Sequence, residues 1–161
     1  MEGTSTRLWK RLAREERLAA ATAFWRDTSP DIMASALGAI VKARHIRPQV
    51  ARAMADEAKA QALADVLDPG ESVAASLLVA LHLADRRPML TAFLDALGMP
   101  HDNGVLKEEA DAIAPPQTAA ARTAVAALAA RFPAREVGTY LNTLWLQDPE
   151  RWAALSEVAL P

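Results

Sequence analysis

Hydrophobic residues recur along this chain at intervals of three or four, the spacing that places them on one face of an α-helix. Leu8, Leu12, Ala19 and Ala23 share one face of the first predicted helix, and the opposite face is basic. This pattern predicts a helix at the surface of the protein. No segment alternates apolar and polar residues over the length of a strand, so the sequence predicts no sheet.

Prolines divide the pattern into separate helices, because proline is tolerated in the first turn of a helix but not in its interior. Ser29-Pro30, Asp68-Pro69 and Asp148-Pro149 each place a capping side chain before the proline, with an acidic residue in the turn that follows. Arg47-Pro48 and Arg87-Pro88 also predict helix starts. The predicted helices are 5–26, 30–45, 48–66, 69–86, 88–97, 105–113, 117–132, 134–146 and 149–159.

The helix predicted at 69–86 is apolar on almost every side. Its uncharged run from Ser72 to Ala84 is about 13 residues long, short of the roughly 20 needed to span a bilayer. We therefore interpret it as a buried central helix and predict no membrane association. The fold class is predicted to be all-α, a compact orthogonal bundle of eight or nine helices, with a short α-solenoid as the alternative.

Gly98 is predicted to end the helix 88–97, because glycine readily takes the left-handed conformation that closes a helix. The loop that follows, 99–104, contains Asp102, Asn103 and Gly104, residue types that are common in turns. The next helix is predicted to begin at Val105.

A chain of 161 residues fits a single domain, 1–161, with a core large enough to fold without disulfides. The sequence has no cysteine, which excludes thiolate nucleophiles and cysteine-based metal sites. Residues 1–7 lack the apolar core of a signal peptide. These features predict a cytoplasmic protein. The preference for alanine and arginine over lysine is typical of a high-GC bacterial genome.

One group of polar residues lies at and after the predicted central helix. His82 and Asp85 are spaced i, i+3, so their side chains are neighbours, and Arg86 follows directly. A histidine beside a carboxylate can supply metal ligands, or a base and the group that orients it. His101 in the next loop is a further candidate ligand. These four residues predict, as one alternative, a small-molecule or metal-binding domain; the other interpretation makes His82 a hydrogen-bonded core residue.

The motifs of common enzymes are missing from the sequence. It has no Gly-x-Ser-x-Gly elbow, no His-Glu-x-x-His zinc motif, and no glycine-rich phosphate loop after a strand. We therefore predict no catalytic residues, no bound metal and no cofactor.

The charge of the chain is unevenly distributed. Residues 1–52 carry ten Lys or Arg against five Asp or Glu, although the whole chain has a net charge of −2. This excess predicts either a solvated face, an acidic protein partner, or weak nucleic-acid binding. A sequence pI near 5.9 and the absence of interleaved aromatic residues argue against nucleic acid. The basic face of the first helix consists of Arg7, Lys10, Arg14 and Arg17.

The four tryptophans lie in two pairs, Trp9 with Trp25 and Trp145 with Trp152. They are interpreted either as core residues or, for Trp145 and Trp152, as anchors for a partner. Without a chemical motif, the sequence favours a protein-interaction or scaffold module without catalytic activity. Its predicted partner is another protein or a second copy of the chain, bound through the basic face or through Trp145 and Trp152.

Overall fold

The computed structural model describes residues 4–107 and 112–159. Within these residues nine α-helices form the fold, with one short hairpin and one 3-10 helix. The all-α prediction is confirmed. None of the described helices has the length and apolar character to cross a membrane. The helices are α1 (Ser5–Arg11), α2 (Arg14–Asp27), α3 (Pro30–Arg44), α4 (Pro48–Ala53), α5 (Asp56–Asp65), α6 (Glu71–Asp85), α7 (Arg87–Ala96), α8 (Thr118–Ala129) and α9 (Ala134–Gln147).

Three helices begin at the prolines that predict them, and α6 begins at Glu71, two residues after Pro69. Pro30 and Pro48 are the first residues of α3 and α4, and Pro88 is the second residue of α7. The fixed φ of proline suits the first turn, and its missing N–H would have no partner there in any case. Gly98 ends α7 with φ +64, and Met99 N–H donates to the Leu94 carbonyl at 3.0 Å. The predicted end of this helix is confirmed.

The helix predicted as continuous over 5–26 is broken into α1 and α2. Leu12 and Ala13 have extended backbones, so the axis changes direction between them and Arg14. Two interactions stabilise this break. Glu16 accepts a hydrogen bond from Ala13 N–H at 2.8 Å, and Arg17 donates to the Leu12 carbonyl at 2.8 Å. Each satisfies a backbone group that a helix end leaves without a partner.

The helix predicted over 48–66 is also broken, at Met54 and Ala55, into α4 and α5. The second helix begins with Asp56 and Glu57, whose negative charges lie in its first turn. Acidic residues there are favoured by the partial positive charge of a helix N-terminus.

The helix predicted over 105–113 is wrong where the structure describes it. Val105–Leu106 is a strand, β2, which pairs antiparallel with His101–Asp102, β1. Asn103 and Gly104 join the strands with φ of 47° and 86°. Two consecutive positive φ angles are the requirement of a type I′ hairpin turn, for which Asn-Gly is a preferred pair. Residues 108–111 of the predicted helix lie outside the described residues.

The helix predicted over 149–159 is replaced by a turn and the 3-10 helix Ala153–Glu157. Asp148 still acts as a cap, because its carboxylate accepts a hydrogen bond from Arg151 N–H at 3.0 Å. A 3-10 helix is the tighter form that short helical segments commonly adopt.

The described residues form two compact units. In the N-terminal unit, residues 4–85, α6 contacts α1, α2 and α3, which confirms the predicted buried central helix. Trp9, Phe24 and Ile40 are fully buried in this unit, together with Leu77 and Leu78 of α6.

The C-terminal unit comprises residues 86–107 and 112–159. Phe93 lies in its core, with its ring edge-on to Tyr140 at 5.7 Å between centroids and tilted against Trp152 at 5.8 Å. Burial raises the pKa of the Tyr140 hydroxyl above its ordinary value. The organisation of the chain as one domain, 1–161, stays a prediction.

Candidate binding groove

A groove of about 620 Å³ lies in the N-terminal unit between α3 and the segment that joins α5 to α6. We call it the α3 groove, and we call residues 65–70 the wall segment. A volume of this size is in the range of ligand-binding clefts. The α3 side is lined by Ser35, Gly38, Ala39, Lys42, Ala43 and His45, and the other side by Asp65, Val66, Leu67, Asp68, Pro69 and Gly70.

The α3 side of the groove is a single helix face on which small residues predominate. Ser35, Gly38, Ala39, Lys42 and Ala43 follow the i, i+3, i+4, i+7, i+8 pattern of a single helix face. A Cβ atom added to Gly38 would have no heavy atom within 4 Å. The packing of the protein therefore does not require glycine there, and the missing side chain leaves the groove open.

Replacing Gly38 with alanine is expected to raise the free energy of unfolding by about 0.5–1 kcal/mol, because glycine in a helix interior loses more backbone entropy on folding than alanine. Urea unfolding followed by circular dichroism measures the difference. Ala39→Gly, the reverse change at the next position of α3, is the control and should destabilise by a similar amount. A loss of stability in Gly38→Ala would show that the fold itself needs this glycine.

Hydrogen bonds from α1 and α2 hold the wall segment and the end of α5 in place. The buried indole N–H of Trp9 donates to the Val66 carbonyl at 2.8 Å. Arg17 donates from Nε to the Ala64 carbonyl at 2.8 Å. These carbonyls belong to the end of α5 and the residue after it, where helix geometry leaves acceptors without partners. The wall is consequently tied to the core of the N-terminal unit.

The two carboxylates of the wall segment are engaged in ion pairs. Asp65 lies 2.9 Å from Arg14 and 3.6 Å from Arg44, and Asp68 lies 3.4 Å from Lys10. Exposed ion pairs of this kind each contribute little to stability, typically less than about 1 kcal/mol. Their effect on the groove is electrostatic, because they neutralise the negative charge of this wall.

Glu71, directly after the wall segment, connects the beginnings of α6 and α1. Its carboxylate accepts hydrogen bonds from the backbone N–H groups of Ser5 and Thr6 and from the Thr6 hydroxyl. Partial burial raises the pKa of Glu71, but the hydrogen bonds from Ser5 and Thr6 outweigh this effect and hold the pKa below its ordinary value. The negative charge also lies at the positive ends of two helices.

Replacing Glu71 with glutamine is expected to lower the free energy of unfolding at pH 7 by about 1 kcal/mol, the usual contribution of a capping group. A lowered pKa in the folded state means that the ionised carboxylate stabilises the fold above pH 4.5, its ordinary pKa. This stabilisation is lost as the pH falls through the lower, folded-state pKa. The difference between wild type and Glu71→Gln should therefore shrink on acidification.

Urea titrations at pH 7 and pH 3 measure both effects. Glu150→Gln is the matched control, since its exposed side chain accepts no hydrogen bond from the part of the chain that the structure describes. An equal loss in both variants, or a loss in Glu71→Gln that does not change with pH, would contradict the capping role of Glu71.

One cation and one apolar side chain in the groove are exposed to solvent. Lys42 is exposed and forms no ion pair within residues 4–107 and 112–159. Leu67, on the opposite side, is 51% exposed. His45 closes α3 in the left-handed conformation, with φ 51°. The arrangement offers a positive charge and apolar surface across a groove with a secured wall.

The predicted ligand residues in the N-terminal unit occupy two different environments. His82 is 3% exposed, on the buried face of α6, and lines neither described groove. Asp85 is exposed and lines a second groove of about 410 Å³ along α2, which Arg14 and Arg26 also line. Helical spacing places the two residues on neighbouring positions, but only Asp85 is accessible.

The predicted ligand residues in the C-terminal unit are engaged in local contacts. Arg86 is buried and lies 3.8 Å from the Glu136 carboxylate. His101 Nδ1 accepts a hydrogen bond from Gly104 N–H at 3.2 Å, and its Nε2 lies 3.0 Å from the Asp95 carboxylate. One ring nitrogen of His101 therefore bonds within the hairpin, and the other joins the hairpin to Asp95 of α7. Among the described residues, no three His, Asp or Glu side chains are grouped to hold a metal ion.

The predicted partner residues also differ in their availability. Lys10, Arg14 and Arg17 contact the wall segment and the end of α5, as described above, whereas Arg7 is exposed. In the C-terminal unit Trp152 is 3% exposed and packs on Phe93; Trp145 is half-buried. Partner binding through these residues stays a prediction.

Sequence reasoning missed the groove itself. One signal for the groove is Gly38, which lies in the middle of α3 among small residues. A glycine at such a position weakens a helix. A second signal is Leu67, an apolar residue directly before Asp68-Pro69-Gly70. Nothing in the sequence shows that these features face each other, because Gly38 and Leu67 are 29 positions apart and only tertiary packing brings them to the same groove.

Comparison of the chain with protein-family models, with curated proteins and with solved structures finds no match.

Proposed function

We propose that this protein is an interaction module that binds a short segment of a partner protein in the α3 groove. The observation that carries the proposal is the groove itself: an open cleft with a small-residue side, an exposed leucine and a cation without an ion pair in the described chain. Concave clefts that combine apolar surface with a few polar groups are the usual places where proteins bind other molecules.

The secured wall segment supports a binding role. A partner that binds a pre-organised surface does not have to order it, so more of the contact free energy appears as affinity. Trp9 and Arg17 hold the carbonyls of Val66 and Ala64, and Glu71 holds the beginning of α6. The groove therefore keeps its shape in the absence of a partner.

The side chains that line the groove favour binding over catalysis. The Ser35 hydroxyl donates to the Asp31 carbonyl at 3.1 Å, within its own helix. Asp65 and Asp68 are paired with Arg14, Arg44 and Lys10. A nucleophile beside a base, the arrangement that covalent catalysis needs, is not formed by these groups.

Filling the groove is expected to weaken partner binding strongly. Heptapeptides displayed on phage are selected on the wild-type protein, synthesised with a fluorescent label and titrated by fluorescence anisotropy. Gly38→Phe, which places an aromatic ring in the groove, should weaken their binding at least about tenfold, as blocking a central contact does. Gly38→Ala, which adds a single methyl group, should weaken it much less.

The matched control is Ala127→Phe, which places the same ring on an exposed position of α8 in the C-terminal unit. Binding by this variant should equal that of the wild type, and circular dichroism should show that each variant is folded. Selection of no peptide, or of peptides that bind Gly38→Phe as tightly as the wild type, would refute the proposal.

A further inference from the structure

We infer that the segment bound in the α3 groove is acidic and extended, with a carboxylate paired to Lys42 and an apolar side chain against Leu67. The inference rests on the function proposed above and names the chemistry of the partner.

The charge of the groove favours a negative occupant. Asp65 and Asp68 are neutralised by Arg14, Arg44 and Lys10, at distances between 2.9 and 3.6 Å. Lys42 lines the same groove without an ion pair among the described residues, so it supplies the unbalanced charge. An opposite charge on the partner both steers the encounter and fixes its register.

The apolar part of the groove favours a peptide over a nucleic acid. Leu67 is half-exposed, and Gly38, Ala39 and Ala43 let a chain approach α3 closely. Phosphate backbones are bound by several cations, and single-stranded bases by aromatic side chains. Among the described residues that line the groove there is no Phe, Tyr or Trp, and His45 supplies a single aromatic ring. A peptide of alternating acidic and apolar residues matches this surface.

The length of the groove sets the length of the segment. Ser35 and His45 are ten residues apart along α3, and α-helices rise about 1.5 Å per residue, so the groove follows about 15 Å of helix. An extended chain advances about 3.3 Å per residue. About four or five residues therefore cover it, and alternate side chains of such a chain point to opposite sides.

The test uses a fluorescein-labelled pentapeptide of alternating glutamate and leucine, with two matched peptides that carry glutamine or lysine in place of glutamate. Anisotropy titrations against the full chain at low salt should give binding of the glutamate peptide, at least about tenfold weaker binding of the glutamine peptide, and weakest binding of the lysine peptide. Raising the ionic strength should weaken the glutamate complex.

Lys42→Glu should weaken binding of the glutamate peptide at least about tenfold and strengthen binding of the lysine peptide. Arg122→Glu, on the exposed face of α8, changes the net charge equally and should leave both affinities unchanged. Circular dichroism of both variants verifies their folding.

The outcomes separate this inference from the proposed function. Suppose that Gly38→Phe blocks peptide binding but the glutamate, glutamine and lysine peptides bind the wild type with equal affinity. The acidic partner is then refuted, and the proposed interaction module remains. If a labelled uridine hexanucleotide binds more tightly than the glutamate peptide and is blocked by Gly38→Phe, the occupant is a nucleic acid and both proposals fall. If Lys42→Glu and Arg122→Glu weaken binding equally, Lys42 has no specific role and the inference is overturned.

Discussion

Replacing Trp9 with alanine is expected to lower the free energy of unfolding by about 3–5 kcal/mol, the range for removing a large aromatic side chain from a core. Trp9 is fully buried and lies in α1, which packs against the central helix α6. Its indole N–H also bonds to the Val66 carbonyl. The substitution therefore leaves both a cavity and a buried acceptor without its donor.

The hydrogen bond can be separated from the packing by phenylalanine substitutions. Trp9→Phe keeps an aromatic ring but removes the hydrogen-bond donor to Val66. Removal of this donor should lower the free energy of unfolding by about 1–3 kcal/mol. Trp25→Phe is the matched control, because the buried indole nitrogen of Trp25 has no hydrogen-bond partner among the described residues. Trp25→Phe should cost clearly less than Trp9→Phe.

Urea unfolding followed by circular dichroism at 222 nm measures all three variants without relying on tryptophan emission. Equal losses in Trp9→Phe and Trp25→Phe would show that the bond to Val66 contributes nothing specific. A loss below about 1 kcal/mol in Trp9→Ala would contradict its place in the core of the N-terminal unit.

Replacing Gly104 with alanine is expected to destabilise the C-terminal unit by about 2–5 kcal/mol, since two separate costs combine. Gly104 has φ 86°, a conformation that costs a non-glycine residue about 1–2 kcal/mol. A Cβ there would lie 2.7 Å from the Cβ of Leu90, which is buried in α7. Leu90 Cβ cannot move without its backbone, and overpacking of this kind costs about 1–3 kcal/mol.

Gly98→Ala separates these two costs. Gly98 also has a positive φ, 64°, but a Cβ there would have no heavy atom within 4 Å. Its replacement should cost only the conformational part, about 1–2 kcal/mol. The same urea titration compares the variants. If Gly98→Ala destabilises as much as Gly104→Ala, the close approach of the hairpin to α7 has no energetic consequence.

These two residues show how far local sequence predicts local structure. The sequence predicts that Gly98 ends its helix, and it does so. The prediction succeeds because the left-handed glycine and the carbonyls that it helps to satisfy lie within a few residues of each other. Asn103-Gly104 carries an equally local signal for a hairpin, yet the helix-forming residues after it predicted a helix from Val105. The pairing of His101 with Leu106 and the approach to Leu90 decided the matter.

The breaks in the predicted helices have a different origin. Leu12-Ala13 and Met54-Ala55 contain neither glycine nor proline, so helix propensity favours continuation through both. At the first break, Arg17 reaches the carbonyls of Leu12 and Ala64, and Trp9 reaches that of Val66. The break at Leu12-Ala13 is therefore stabilised both by local bonds of Glu16 and Arg17 and by the bond from Arg17 to Ala64, which is distant in sequence.

The candidate site likewise combines residues that the sequence reveals with contacts that it does not reveal. The basic residues of α1 and α2 are recognisable in the sequence, but their partners are not: Lys10 and Arg14 pair with Asp68 and Asp65, more than fifty positions further along the chain. No ion pair joins Lys42 to a carboxylate of the described residues. Which charged residues form ion pairs within the fold depends on the distances between them in the folded chain, and no sequence pattern contains those distances.

The sequence by itself determined the helical class, the proline-marked starts of α3, α4 and α7, and the burial of α6, since propensity, capping and apolar periodicity act within a few residues of each position. Tertiary structure alone decided how the wall segment is held and that it faces the small residues of α3. Those features depend on hydrogen bonds, ion pairs and packing between distant segments, whose geometry exists only once the chain has folded.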